Sequence, residues 1–241
     1  MKRLDVYLFE NHLFPTREKA KEAVTSGIVA KNGSVCLKAG EKVLETDKIE
    51  IIGEKLKYVS RAGLKLEKAS EFWNISFKDK VILDVGASTG GFTDFAIQNS
   101  AKKVYAVDVG TNQLHASLIQ NPKVINLEKT DFRTLPPLKD KIDIAVCDCS
   151  FISLKLLCNK FAEVLTKNST LITLIKPQFE CGLEIAKKTK GVIKDENIQN
   201  SIKNDIINYY SNNGFNCLGC TESPILGTAG NKEFLAYFIK K

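Results

Sequence analysis

Two apolar runs of this sequence end on opposite charges. "DIAVCD" closes on Asp148, and "LITLIK" closes on Lys176 with Pro177 next. If the runs are neighbouring strands, the two ends meet. Glu233 opens a later run after the long loop "TESPILGTAGNK", and it joins the same edge if that strand is antiparallel. Lys65, on a helical stretch before the first strand, completes a fourth corner. A carboxylate between two ammonium groups is a charge network, and a second cation disfavours the charged form of a lysine. A neutral Lys176 could take a proton from a sugar hydroxyl. Lys65 and Asp148 would hold that hydroxyl, while Glu233 positions a lysine or the sugar. Taken singly, each charge also reads as a helix cap or a surface ion pair. His occurs twice, and no Ser-His-Asp or cysteine-nucleophile arrangement is evident.

The electrophile is suggested by "VILDVGASTGGFTD", residues 81–94. A dinucleotide loop needs G-x-G-x-x-G after its strand, with the second Gly admitting a pyrophosphate. Here Ser88 holds that place between Gly86 and Gly90, and its Cβ works against such an approach. A methionine-sulfonium nucleoside has no pyrophosphate, so the bare backbone suits it. Asp108 ends the second strand, where a carboxylate can accept from both ribose hydroxyls. Asp131 and Phe132 follow the third and could hold an adenine edge and its plane. The cofactor candidates are Asp84, Gly86, Ala87, Ser88, Gly90, Gly91, Phe92, Asp108, Asp131 and Phe132. The alternative is a glycine turn kept for packing, with aspartates that cap helices.

These residues need a sheet to align them. Strands are expected at 81–85, 103–107, 124–127, 142–147, 170–175, 215–220 and 234–239, with helices between most of them. Alternating βα units give a mostly parallel, doubly covered α/β sheet of seven strands, the last antiparallel, with ligands outside the carboxyl ends. Residues 1–55 read as a small α+β module. Leu4 and Leu8 share a helical face, Thr16 caps a second helix that Gly27 ends, and Asn32-Gly33 turns a hairpin. A linker is expected at 56–60 and the larger domain at 61–241.

Lys and Arg number 35 against 28 Asp and Glu, a formal +7 that suits a polyanionic partner. The seven Cys have no zinc-like spacing, so free thiols in a reducing cytoplasm are expected and no metal. "MKRLDVYLFE" is not a signal peptide, and no apolar run approaches the roughly 20 residues of a membrane span.

The motifs "SRAGLKLEKA", "LDVGASTGGFTD", "DCSFISL", "LIKPQFE" and "GNKEFLAYF", in this order, resemble the TlyA-type ribosomal-RNA methyltransferases, often labelled hemolysin A. Their second domain is similar to FtsJ-type ribose methyltransferases, with a Rossmann-like sheet. The first module resembles the small S4-like RNA-binding domain. The resemblance implies methyl transfer from S-adenosylmethionine to the 2′-hydroxyl of a cytidine in ribosomal RNA. It places the catalytic tetrad on Lys65, Asp148, Lys176 and Glu233. The family's usual SRGG is SRAG here, with Ala62, and Leu56 and Tyr58 replace the Arg and Trp of the best-known linker. The chain resembles the shorter form of the family, which implies a large-subunit target.

For RNA contacts the sequence offers Arg3, Arg17 and Lys21 in the first module, Ser60 and Arg61 at the junction, and Lys187 and Lys188 in "KKTKGVIK". Ribosomal RNA is the expected partner, with neither DNA nor a membrane. Phe151 or Phe179 could support a base turned out of its stack. Two other classes remain open: a ribosome-binding or assembly module with an inactive transferase fold, and a hemolysin or cytotoxin.

Overall fold

The structure is a computed structural model that describes residues 1–25, 27–52 and 57–241. The chain divides into two compact units, Met1–Arg61 and Ala62–Lys241. The expected linker falls partly outside the described residues, at Leu56.

The first unit runs β1 (Lys2–Arg3), α1 (Leu4–Glu10), α2 (Arg17–Thr25), β2 (Val29–Lys31), β3 (Ser34–Val35), β4 (Lys42–Val43) and β5 (Ile49–Ile51). Leu4 and Leu8 of α1 pack with Ala20, Ala23 and Val24 of α2 in one core. Thr16 Oγ1 accepts from the Lys19 amide at 3.1 Å, the N-cap its position predicts. Asn32 (φ 52°) and Gly33 (φ 78°) both take the left-handed backbone of a type I′ hairpin turn, which joins β2 to β3. β2 also pairs with β5, while β1 pairs with β4, a two-residue ladder too short for any sequence period to reveal.

The second unit opens with α3 (Ala62–Trp73) and β6 (Val81–Val85). Then come α4 (Gly91–Gln98), β7 (Lys103–Val107), α5 (Ala116–Ile119), β8 (Val124–Leu127), β9 (Ile142–Cys147) and α6 (Lys155–Val164). It continues with β10 (Leu165–Ile175), α7 (Pro177–Glu180), α8 (Gly182–Thr189), α9 (Glu196–Asn212), β11 (Phe215–Glu222) and β12 (Phe234–Lys240). The seven strands lie in the order β11-β12-β10-β9-β6-β7-β8. β12 is antiparallel to both neighbours and the other ladders are parallel. Burial on both faces explains the continuous apolar runs: every residue of β6 is buried. One core joins Leu83, Val107, Phe161, Leu171, Tyr210 and Phe238 across the sheet and its α6 and α9 cover, while α3 packs with α4. The 17-residue α9 was not expected as a distinct element. Asp195 caps it by accepting from the Asn197 amide at 2.8 Å.

Candidate active site

The carboxyl ends of β9 and β10, adjacent in the sheet, carry Asp148 and Lys176. The reversal of β12 returns Glu233 to that edge, and α3 supplies Lys65. The four form one buried network. Lys65 Nζ donates to Glu233 Oε2 at 2.8 Å and to Asp148 Oδ2 at 3.2 Å. Lys176 Nζ pairs with Asp148 Oδ1 at 2.6 Å. Each of these side chains is 13% exposed or less, which leaves little solvent to screen the pairs.

Burial alone would lower the Lys65 ammonium, but Asp148 and Glu233 outweigh it and hold its pKa above the ordinary lysine value. Burial likewise pushes the Asp148 carboxyl up, and Lys65 and Lys176 override it, so the group lies below the usual carboxylate range. Asp148 is therefore a fixed negative charge shared by two lysines. Ser150 and Gln178 belong to the same cluster and were not anticipated. Ser150 Oγ accepts from Lys176 Nζ at 3.0 Å, and Gln178 Nε2 donates to Glu233 Oε1 at 3.3 Å. Their only sequence signal was their place inside "DCSFISL" and "LIKPQFE".

The glycine loop lies between β6 and α4, next to the β9 end. Gly86 has φ +80°, and a Cβ there would stand 2.9 Å from Cys149 Sγ and 3.1 Å from the Asp148 carbonyl. Gly90 has φ +97°, and a Cβ there would collide with Leu114 and Leu118. Packing and backbone angle thus demand these glycines. Ser88 also takes a left-handed angle, φ 48°. Its amide donates to Asp108 Oδ2 at 2.8 Å, while Gly110 donates to Oδ1 at 2.7 Å. Each Asp108 oxygen keeps lone-pair capacity for a ribose hydroxyl, so the donor set fits a nucleoside cofactor.

Four other candidates sit differently from expectation. Asp84 is 1% exposed and accepts from Thr93 Oγ1 at 2.7 Å, which ties β6 to α4 beneath the loop. Burial pushes its carboxyl up to about 7. Phe92 is 3% exposed, with its ring in the interior. The Phe132 ring does not offer its plane to a ligand: it is 4% exposed and packs on Phe161 at 4.5 Å between centroids. An aromatic side chain at that strand end gains more from the core than from a half-wet pocket. The Asp131 carboxylate is clasped by the Arg133 guanidinium, at 2.6 Å to Nη2 and 3.0 Å to Nε. Ala87 is buried, and Gly91 begins α4.

Phe151 is 89% exposed on left-handed backbone, φ 63°. Its ring lies 4.9 Å from that of Phe179, which in turn lies 5.8 Å from Lys176 Nζ. Lys187 and Lys188 are exposed on α8, which buries none of its residues. In the first unit, Arg3 and Arg17 both clasp the buried Asp5: Arg3 Nε donates at 2.9 Å and Arg17 Nε at 3.1 Å. Lys21 is exposed, as is Arg61, and Ser60 is half-buried.

The profile of the FtsJ-like methyltransferases matches residues 58–240, and that of the S4 domain matches residues 2–49. The chain belongs to the FtsJ-like methyltransferase family. Within it the resemblance is to TlyA-type proteins that carry an S4 domain. One relative is the 23S rRNA (cytidine-2′-O)-methyltransferase TlyA of Campylobacter jejuni, 41% identical over 83% of this chain and 78% of its own. Another is Hemolysin A of Brachyspira hyodysenteriae, 40% identical over 98% of this chain and 99% of its own. A solved protein from Streptococcus thermophilus superposes with TM-score 0.79 and 42% identity, over 100% of this chain and 88% of its own. An FtsJ-like methyltransferase uses S-adenosylmethionine, in agreement with the Gly86–Gly91 loop and Asp108.

Proposed function

We propose that the chain methylates the 2′-hydroxyl of a cytidine in ribosomal RNA, with the large subunit as its target. The supporting observation is the buried Lys65–Asp148–Lys176–Glu233 network at the strand edge that also carries the glycine loop. The C. jejuni relative is named for the same reaction on 23S rRNA.

S-adenosylmethionine supplies an electrophilic methyl group on a sulfonium. The loop Gly86–Gly91 would hold its amino-acid end, and Asp108 would accept from its ribose hydroxyls. A neutral Lys176 would take the proton of the target hydroxyl as its oxygen bonds to the methyl carbon; the carbon–sulfur bond breaks, S-adenosylhomocysteine leaves as the neutral thioether, and the proton ends on the amine. Asp148, fixed as a carboxylate, orients Lys176 and draws Lys65 to the same oxygen. Glu233 holds Lys65 from the other side. Exclusion of water by the buried side chains strengthens each of these interactions. Phe151, with Phe179 behind it, presents a ring beside Lys176 on which the target base stacks once it leaves its helix. Arg3, Arg17 and Lys21, together with Ser60, Arg61, Lys187 and Lys188, contact RNA.

An inactive assembly module would have no reason to hold two lysines and two carboxylates together away from water. The hemolysin name of one relative is not matched by a membrane-crossing element: among the described residues no helix is long and apolar enough to span a bilayer. Mapping ribose methylation on ribosomal RNA from cells with and without the protein tests the proposal. Identical maps would overturn it.

A further inference from the structure

On the sheet edge opposite the charge network, where the parallel strands begin, lies a cavity of about 480 Å³. That volume is within the range of ligand sites, roughly 300–1,000 Å³. Lys80, Lys141 and Lys167 line it from just before β6, just before β9 and near the start of β10. Those strands are adjacent in the sheet, so the three lysines gather at one end of it. β10 bulges there, its register shifting between Leu165 and Thr170 around Asn168 at φ 67°, and the edge opens as a result. One wall is aromatic: Trp73 at the end of α3 lies 5.4 Å from Tyr237 of β12.

The charge at this edge is not neutralised locally. Lys103 and Lys123, at the starts of β7 and β8, have protein partners: Asp140 at 2.6 Å and the Ala101 carbonyl at 3.3 Å. Lys80, Lys141 and Lys167 are exposed, and none pairs with a carboxylate among the described residues. The one acid in the lining, Asp143, spends Oδ2 on the Val81 amide at 2.8 Å. Three cations lining one cavity beside an aromatic wall match a run of phosphates with a sugar or base against the rings. The α3 helix connects this cavity to the network. Lys65 and Trp73 stand eight residues apart on it, about 12 Å along its axis. A strand of RNA that presents its ribose to Lys176 is long enough to cover that distance.

We propose that this cavity is a second RNA-backbone site, which grips the substrate at the edge of the sheet opposite the chemistry. It rests on the reading of the substrate as RNA. The test uses the full chain with Lys80→Gln, Lys141→Gln and Lys167→Gln together. Binding to the large ribosomal subunit and to a naked transcript of its RNA is measured over a series of salt concentrations. The variant is expected to bind both about 10- to 100-fold more weakly, with the slope of log affinity against log salt shallower by about two. S-adenosylmethionine affinity and the single-turnover rate at saturating RNA stay at the parent level. Arginine at all three positions restores binding.

Parent-like affinity and slope would overturn the proposal. Weakened binding to the subunit with unchanged binding to the transcript would also overturn it, because the lysines would then face a ribosomal protein. If the parent binds RNA but methylates none, the catalytic reading fails by itself, and the binding comparison still decides this one.

Discussion

Lys65 Nζ and Glu233 Oε2 stand 2.8 Å apart although 168 positions separate them in the chain. The contact joins the first helix of the methyltransferase unit to its last strand. It closes the network on the side away from Lys176, so Lys65 has carboxylates on two sides.

Removal of one member of this pair should therefore harm fold and function together. Lys65→Met leaves Glu233 buried without its cation, a loss of about 3–5 kcal/mol for a broken buried pair. Denaturant unfolding measures that loss. Glu233→Gln keeps the shape, and methyl transfer is expected to fall at least about 100-fold, as for a displaced catalytic group. Full activity in the Gln variant would show that Glu233 does not position Lys65.

Lys176→Ala is the cleaner test of chemistry. Methyl transfer should vanish, while S-adenosylmethionine and RNA affinities stay near the parent values. Asp148 keeps Lys65 as its partner in that variant, so the fold is expected to survive. A turnover rate equal to the parent's would remove Lys176 from the base role.

Phe151 can be tested through its exposure. Since 89% of it is open, Phe151→Ala costs little stability. Loss of a stacked base is worth about 1–3 kcal/mol. A drop of about 10- to 100-fold in kcat/KM for RNA is expected, with unchanged cofactor affinity. An unaltered kcat/KM would mean that the ring does not meet the base.

Asp84 makes stability depend on pH. Its folded pKa is raised to about 7, so the folded chain keeps a proton that the unfolded chain releases near pH ~4. The stability from that proton is complete below pH ~4 and is lost as pH rises through about 7. Asp84→Asn still accepts from Thr93 and carries no charge. It should flatten the decline between about pH 4 and 7 and gain at most about 4 kcal/mol over the parent at pH 8. Asp148 acts in the opposite sense, its contribution present at neutral pH and lost in acid, and it is common to both proteins. Parallel stability curves for parent and variant would show that Asp84 does not titrate in this range.

In the first unit, Lys21→Ala should weaken RNA binding and reduce the salt slope by about one. Arg17→Ala adds a second effect, because Arg17 also neutralises buried Asp5. A lowered melting temperature is expected with Arg17→Ala but not with Lys21→Ala. If both leave the salt slope unchanged, neither residue touches phosphate.

The sequence by itself determined the seven strands and the antiparallel return of the last. Alternating apolar runs leave few alternatives when both faces of a sheet are covered. It also singled out Asp148 and Lys176, because charge at the end of an apolar strand is costly unless partnered, and it added Glu233 through the antiparallel return and Lys65 from the helix before the first strand. Tertiary structure alone decided the partners. Asp148 serves both lysines, and Ser150 and Gln178 complete the cluster, contacts that local spacing cannot encode. It also turned Phe92 and Phe132 inward, though their places beside the cofactor loop and after β8 had suggested ligand contacts. Period and composition fix which residues reach a strand end. Whether a side chain there faces core or ligand depends on the volume its neighbours from distant elements leave unfilled.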